Sequence, residues 1–388
     1  MEILYFCHDM PNKDLFSEFP PISKAEWLQQ IAKDLKNRPL EEFEWILSDD
    51  LRVSPFVHAE DFETAVLPLW STKKSWEICE TILVNDAVTA NAQALEALTG
   101  GVEGIQFVFN NSPDWSQMEP LMAKIHLDFI GLHFSGQGTE QNPSTIFSHL
   151  LRLAKCQNLD SKSLRGSIAY GPLQAGGIVV DWRYLVDLLE FSKESFPQFK
   201  IITVNSSLQE NPVIALAETL KTANEYLKKL TERGISPEQA ALSLQFSVPV
   251  GQSYFLEIAK IRALKLLWLN TLNGWNIPLS YPAVTAYFRP DTYSDQLYSN
   301  MIRATTMAMS ALMGGADRLS VLPYDSGREN LATYPAAFGR RIARNVQHLL
   351  RMESAIDDIA DPAAGSFYIE KLTAALAEKA WEVFSRSA

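Results

Sequence analysis

The chain has 388 residues, 47% of them hydrophobic, and a formal net charge of −12 at pH 7. This acidic balance argues against a nucleic-acid-binding protein, which needs a basic face, and no apolar run reaches the roughly 20 residues that span a bilayer. The length exceeds that of one small domain and suits a (β/α)8 barrel of about 250 residues with added segments at its ends.

The cysteines and the N-terminus predict a cellular compartment. Cys7, Cys79 and Cys156 are few, odd in number and far apart, as in a reduced cytosolic protein. The first residues lack the basic start and the apolar stretch of a signal peptide. We therefore expect a cytoplasmic protein with no membrane and no nucleic-acid partner.

Residues 1–75 precede the first predicted barrel strand and are expected to form an N-terminal arm. Residues 27–35 have helical periodicity, with Ser23 as N-cap and Glu26 as its capping-box partner. Residues 39–57 are predicted to be extended and to wrap around other structure. The arm is a candidate partner surface because of four aromatic residues, which are Trp27, Phe43, Trp45 and Phe56. These rings could equally pack on the chain's own barrel.

The barrel itself is predicted over residues 76–353, followed by a helical C-terminal extension over 354–388. Eight short strand-like segments alternate between an apolar face and a small or polar face, and helix-length stretches separate them. The segments are 81–85, 105–110, 129–135, 167–170, 202–205, 243–247, 284–287 and 319–322. The predicted helices are 87–98, 181–195, 212–233, 255–272, 300–313 and 336–351.

The polar faces predict an unusual barrel interior. Most barrels of this class fill their axis with bulky branched residues, whereas this one would be lined by small polar groups and could hold an extended ligand. Val84, Val108, Val204 and Phe246 should then face outward. The alternative is that some strand registers are misassigned and the polar residues merely end strands. Ser243 is also predicted to face inward. The other residues predicted to face inward or toward a ligand are Asn85, Gln106, Thr203, Gln245, Thr285 and Thr81.

Motifs for metal or nucleophile chemistry are weak. Residues 7–9 read Cys-His-Asp, but no further ligand is near in sequence, and no zinc, calcium or Gly-x-Ser-x-Gly pattern occurs. We therefore expect no metal site. Arg289, two residues beyond the seventh predicted strand, is the best-placed charged residue for a substrate, although loop solvation is the more common role of such a residue.

Several motifs resemble one known family. Residues 257–268 read Glu-Ile-Ala-Lys-Ile-Arg-Ala-Leu-Lys-Leu-Leu-Trp, and residues 361–370 read Asp-Pro-Ala-Ala-Gly-Ser-Phe-Tyr-Ile-Glu. Together with residues 298–303, 314–315 and 341–347, in this order, they resemble the methylmalonyl-CoA mutase family. The resemblance implies a (β/α)8 barrel lined with small polar side chains, through which the pantetheine arm of coenzyme A threads.

The departures from the family pattern concern its chemistry. At the two positions where catalytic members carry an active-site histidine, this chain has Ser207 and Ser320. The cobalamin-binding Asp-x-His-x-x-Gly signature is absent from the sequence. The resemblance thus implies no catalytic residues and no bound cofactor in this chain. It implies instead a non-catalytic small subunit that stabilises a catalytic alpha subunit in a heterodimer, with adenosylcobalamin on that partner.

Two alternatives stay open at this point. The chain could be an active acyl-CoA mutase barrel whose cobalamin domain is on another chain or has been trimmed. It could also be a stand-alone protein that binds a CoA thioester in its polar barrel.

Overall fold

A computed structural model describes residues 20–36, 38–48, 51–62, 69–70, 75–174 and 180–387. The Cys-His-Asp stretch at residues 7–9 lies outside the described residues. The chain divides into two compact units, residues 1–66 and 67–388. The first unit ends at residue 66, against an arm boundary predicted at 75, and the C-terminal residues belong to the same unit as the barrel.

The first unit begins with α1 (Lys24–Asp34). The Ser23 hydroxyl accepts a hydrogen bond from the Glu26 backbone N–H, and the Glu26 carboxylate accepts one from the Ser23 N–H at 3.0 Å. This capping box satisfies two N–H groups that the first helical turn leaves unpaired. The predicted helix and its cap are confirmed.

The segment predicted to be extended is more varied. It contains a 3-10 helix (Leu40–Phe43) and an antiparallel pair, β1 (Trp45–Ser48) and β2 (Leu51–Val53). The extended prediction is therefore wrong at the 3-10 helix. Pro39 fixes the backbone angle that starts this turn, and its carbonyl accepts a hydrogen bond from the Glu42 N–H at 3.2 Å.

Aromatic rings of the first unit pack against each other. The Trp27 and Phe56 ring centroids are 6.2 Å apart, and those of Phe43 and Phe56 are 6.4 Å apart, both edge to face. Such pairs are favourable beyond their buried area. These rings therefore form a small core within the unit.

The second unit is a closed barrel of eight parallel strands, so the predicted fold is confirmed. Every predicted strand segment overlaps an observed strand, and the last strand closes the barrel by pairing with both the strand before it and the first barrel strand. The strands are β3 (Glu77–Leu83), β4 (Gly104–Val108), β5 (Gly131–Ser135), β6 (Arg165–Tyr170), β7 (Gln198–Asn205), β8 (Leu244–Val250), β9 (Ala283–Phe288) and β10 (Arg318–Ser320).

Helices surround the barrel and follow the strands in the expected βα order. No helix in the described ranges is long and apolar enough to cross a membrane. The helices are α2 (Ala87–Thr99), α3 (Trp115–Leu121), α4 (Gln137–Gln141), α5 (Pro143–Cys156), α6 (Trp182–Ser195), α7 (Pro212–Thr231), α8 (Pro237–Ser243), α9 (Tyr254–Gly274), α10 (Leu297–Met313), α11 (Ala336–Met352) and α12 (Phe367–Ser387).

The main core lies between the outer face of the barrel and these helices. Phe107, Phe134 and Phe246 are fully buried, and the Phe246 ring packs edge to face on Trp268 of α9 with centroids 5.2 Å apart. Burial of one such side chain stabilises the fold by about 1.5–3 kcal/mol. Val204, also fully buried, lies opposite Phe246 in the β7–β8 register, so both face outward as predicted.

Two details of the predicted register are wrong. Val108 pairs with Ser135 and lies two residues from Gln106, so it shares the inner face instead of pointing outward. Ser243 ends α8, where its hydroxyl donates to the Ala240 carbonyl at 2.7 Å, and so lies before the strand. A hydroxyl that bonds the preceding turn favours a helix end over a strand start.

Buried ion pairs attach the C-terminal segment to the barrel helices. Arg262 of α9 is fully buried; its guanidinium bonds the Asp361 carboxylate, and its Nη2 lies 2.7 Å from Glu370 Oε1 in α12. Asp361 also accepts a hydrogen bond from the Leu69 N–H at 2.8 Å. As a result α12 packs on α9 and α7 as part of the barrel unit.

Gly166 of β6 provides a test of the strand packing. A Cβ at this position would lie 1.8 Å from the Leu132 carbonyl oxygen of β5, which is backbone and cannot move without disturbing the ladder. Gly166→Ala should therefore lower the free energy of unfolding by about 1–3 kcal/mol, measured by urea denaturation. Gly274→Ala is the matched control, because a Cβ there meets nothing within 4 Å. Equal stability of the two variants would contradict this packing.

Candidate functional site

A polar cavity of about 240 Å³ occupies the C-terminal half of the barrel interior. Its lining contains five predicted inward residues and Ser320, one of the two serines that replace family histidines. The polar members of the lining are Thr81, Gln106, Ser135, Glu140, Thr203, Asn205, Gln245, Ser247, Thr285, Tyr287, Arg318 and Ser320.

Neighbouring strands satisfy part of this polar wall by bonding each other. The hydroxyls of Thr81 and Ser320 are 2.7 Å apart, across the β3–β10 closure. Gln245 Nε2 donates to Thr203 Oγ1 at 2.7 Å. These bonds fix the side chains as rigid strand-mounted groups, which makes the wall a preformed polar surface.

A charged cluster forms the floor of this cavity. His133 Nε2 lies 2.6 Å from Glu77 Oε1, and His133 Nδ1 lies 2.8 Å from the Ser167 hydroxyl. Arg318 Nη1 donates to Ser167 Oγ at 3.1 Å and also bonds His133 Nδ1. The four side chains come from β3, β5, β6 and β10, so the cluster spans the barrel axis.

Two glycines make room for the floor. A Cβ at Gly104 would lie 2.1 Å from the Glu77 carboxylate, and one at Gly131 would lie 2.4 Å from it. Glu77 therefore uses the space that two neighbouring side chains would otherwise fill. The open channel implied by the family resemblance is interrupted here, because a long ligand could not pass along the axis without displacing this cluster.

The protonation states of the floor follow from its burial and its neighbours. Burial, together with the charge of Arg318, lowers the pKa of His133 to about 4, so the imidazole is neutral at pH 7. Burial opposes ionisation of Glu77, but the hydrogen bond from His133 and the charges of Arg318 and Arg165 outweigh it and lower the pKa of this carboxyl. Neutral His133 then donates from Nε2 to Glu77 and accepts at Nδ1 from Arg318.

Glu77, Cys79 and His133 also form a potential metal-ligating cluster, with ligand atoms within 4.8 Å of one another. The guanidinium of Arg318 already supplies positive charge beside these groups, and burial raises the pKa of the Cys79 thiol. A metal ion would have to displace or repel that fixed cation. The cluster is better explained as a hydrogen-bonded floor than as a metal centre.

Not all predicted site residues come together. Arg289 lines a second cavity of about 290 Å³ with Ser207, between β7–α7 and β8–α9. There the Arg289 guanidinium bonds Asp291 of its own loop, with Nε 3.0 Å from Oδ1. Asn85 is exposed beyond β3 and lines neither cavity.

Sequence reasoning missed the inward positions of Glu77, Cys79, Lys200 and Arg318. For Glu77, Cys79 and Arg318 the signal was present, since each lies an even number of residues before a recognised inward residue. Lys200 had no such signal. The β6–β7 register shifts between Ser167 and Tyr170, so Lys200 and Thr203 face inward although they are three residues apart.

Three of the described histidines are engaged in contacts outside the cavities. Among the described residues no histidine lines either cavity. Both ring nitrogens of His133 are engaged in the floor, while His149 and His348 bond backbone carbonyls at 3.0 and 2.9 Å. Neither cavity, as the described residues line it, therefore offers an imidazole that could bind the metal of a cobalamin.

Comparison with known proteins relates the chain to one family. The family model described as methylmalonyl-CoA mutase matches residues 111–387. The methylmalonyl-CoA mutase small subunit of Porphyromonas gingivalis is 32% identical, covering 96% of this chain and 64% of that protein. The small subunit of Streptomyces virginiae is 28% identical over 95% of this chain and 64% of that protein.

A relative named simply methylmalonyl-CoA mutase, from Cereibacter sphaeroides, is 25% identical over 92% of this chain and 57% of that protein. The chain thus spans less than two thirds of the length of each of these relatives.

The neutral state of buried His133 predicts a pH dependence. Between pH 6.5 and about 4 the unfolded chain binds a proton at this residue and the folded chain does not. Stability contributed by the floor is therefore lost as pH falls through this window, by at most about 1.4 kcal/mol per pH unit. His133→Gln removes this contribution, so its deficit in unfolding free energy relative to wild type should shrink as pH falls.

Urea denaturation at several pH values across the window would measure this deficit. Thr271→Val is the control, because it removes a buried hydroxyl that donates to the Leu267 carbonyl and does not titrate there. Its deficit should be constant. A deficit for His133→Gln that is equally constant would contradict the neutral, buried imidazole.

Proposed function

Because the chain belongs to the methylmalonyl-CoA mutase family, we propose that it is the non-catalytic small subunit of an adenosylcobalamin-dependent methylmalonyl-CoA mutase. In this role it pairs with a catalytic alpha subunit and stabilises it. The partner carries the adenosylcobalamin and performs the interconversion of methylmalonyl-CoA and succinyl-CoA. The observation that carries the proposal is the barrel axis, which is blocked by Glu77, His133 and Arg318.

The blocked axis argues against the two other functions. An active mutase barrel needs a passage for the pantetheine arm and donors that bind the thioester oxygen, and it needs them preorganised. Ser207 lines a cavity other than the one lined by Ser320. A stand-alone CoA-thioester binder would meet the same obstruction.

The names of the relatives favour the subunit role. Two of those compared above are called small subunits, a name that implies a larger partner. A barrel that keeps its framework while its axis is blocked retains an outer surface that another chain can use. We place part of that surface on the first unit, where Ile22 and Ile46 are 60% and 57% exposed.

The chemistry of the isolated chain gives a first test. Supplied with adenosylcobalamin and methylmalonyl-CoA, the purified chain should bind no cofactor and form no succinyl-CoA, as measured by cobalamin absorbance and product chromatography. Ser207→His should not create activity, because catalytic groups act as a unit. Turnover by the wild-type chain would refute the non-catalytic role.

The partnership gives a second test. Co-production with a full-length mutase of the family should yield a one-to-one complex, and obligate interfaces of this kind bury on the order of 2,000 Å² or more. Deleting residues 1–60 should weaken it, and Ile46→Asp should do so with less disturbance of the fold. Size-exclusion chromatography at micromolar concentration measures the complex.

Leu151→Asp on α5 is the matched control for a charge placed on an exposed apolar site. It should leave the complex intact. Two separate peaks from the wild-type pair would remove the main support for the subunit role. Loss of the complex with both point variants would place the interface elsewhere.

A further inference from the structure

Arg318 is a buried cation without a directly bonded anion. Its side chain is 8% exposed, and its hydrogen-bond partners are neutral His133 and the Ser167 hydroxyl. Its Nε is buried and has no hydrogen-bond partner among the described residues. Buried charges in proteins are normally paired, because transfer of an unpaired ion from water is costly.

The nearest carboxylates are committed to other donors. Glu77 bonds His133 Nε2 at 2.6 Å and therefore lies on the far side of the imidazole from Arg318. Asp317 Oδ2 accepts the Val284 backbone N–H at 2.8 Å. Both carboxylates attract the charge of Arg318 from a distance, but neither forms a hydrogen bond with it in the described structure.

This guanidinium borders the polar cavity of about 240 Å³ in the barrel interior. Arg318 is part of its lining, with the hydroxyls of Ser247, Thr285 and Ser320 on neighbouring strands β8, β9 and β10. Glu140 also lines the cavity, on α4 just beyond the C-terminal end of β5, and burial raises its pKa. The cavity lining thus combines several hydroxyl groups with one cation.

We propose that this pocket binds a small organic carboxylate, whose oxygens accept hydrogen bonds from the guanidinium of Arg318 and from the surrounding hydroxyls. A planar guanidinium matches a carboxylate in geometry and in charge. The blocked axis limits the ligand to one that enters and leaves at the C-terminal end, so coenzyme A is not part of it. This binding does not depend on whether the chain is catalytic.

Titration calorimetry of the full chain with malonate and acetate tests the site. Malonate should give saturable, one-to-one binding and raise Tm, because a ligand that binds only the folded state stabilises it. Malonamide, which has the same shape without the charge, should do neither. Arg318→Met should weaken malonate binding by about ten- to a hundredfold, the typical worth of hydrogen bonds to a charged group.

Two further variants keep the result decisive. Arg289→Met removes a cation from the other cavity and should leave malonate binding unchanged. Ser247→Leu fills the proposed pocket while retaining Arg318, and should abolish binding even if the Arg318 variant does not fold. No saturable binding of malonate or acetate at millimolar concentration, equal binding of malonamide, or full affinity in Ser247→Leu would each overturn the proposal.

Discussion

The ion pairs of Arg262 organise the part of the molecule that carries the family motifs. This fully buried guanidinium bonds Asp361 and Glu370, and Asp361 in turn holds the Leu69 N–H. One side chain of α9 thereby joins this helix to the C-terminal segment and, through Asp361, to the chain that enters the barrel. Removing one partner of these ion pairs would leave a buried charge unpaired, which typically lowers the free energy of unfolding by roughly 3–5 kcal/mol. These ion pairs bring the two motifs at residues 257–268 and 361–370, which are distant in the sequence, into direct contact.

The sequence predicted the barrel well because its inner and outer faces differ so clearly. Alternation of side chains along a strand is a local property, so Gln106 and Gln245 could be placed inward without knowledge of the fold. The errors arose where local patterns are ambiguous. Val108 resembles a core residue although it lies on the inner face, and the irregular register of β7 that places Lys200 inside has no local signature.

The site was less predictable than the fold. Its wall could be anticipated residue by residue, but its floor depends on four side chains from strands up to 241 positions apart, counting Glu77 to Arg318 (318 − 77). A charged residue near the start of a predicted strand is usually a solvated strand end. Only closure of β10 onto β3 reveals that Glu77 and Arg318 face the same axis. The separation of Ser207 from Ser320 likewise depends on loops that periodicity does not describe.

The fit of Glu77 against Gly104 and Gly131 has an evolutionary consequence. Larger residues at either glycine would collide with the carboxylate, while shortening Glu77 alone would leave His133 and Arg318 without their nearest counter-charge. A return to an open axis therefore requires several substitutions at once, with each single step less stable than its starting point. The blocked end of the barrel is therefore harder to alter by single substitutions than the surface of the protein.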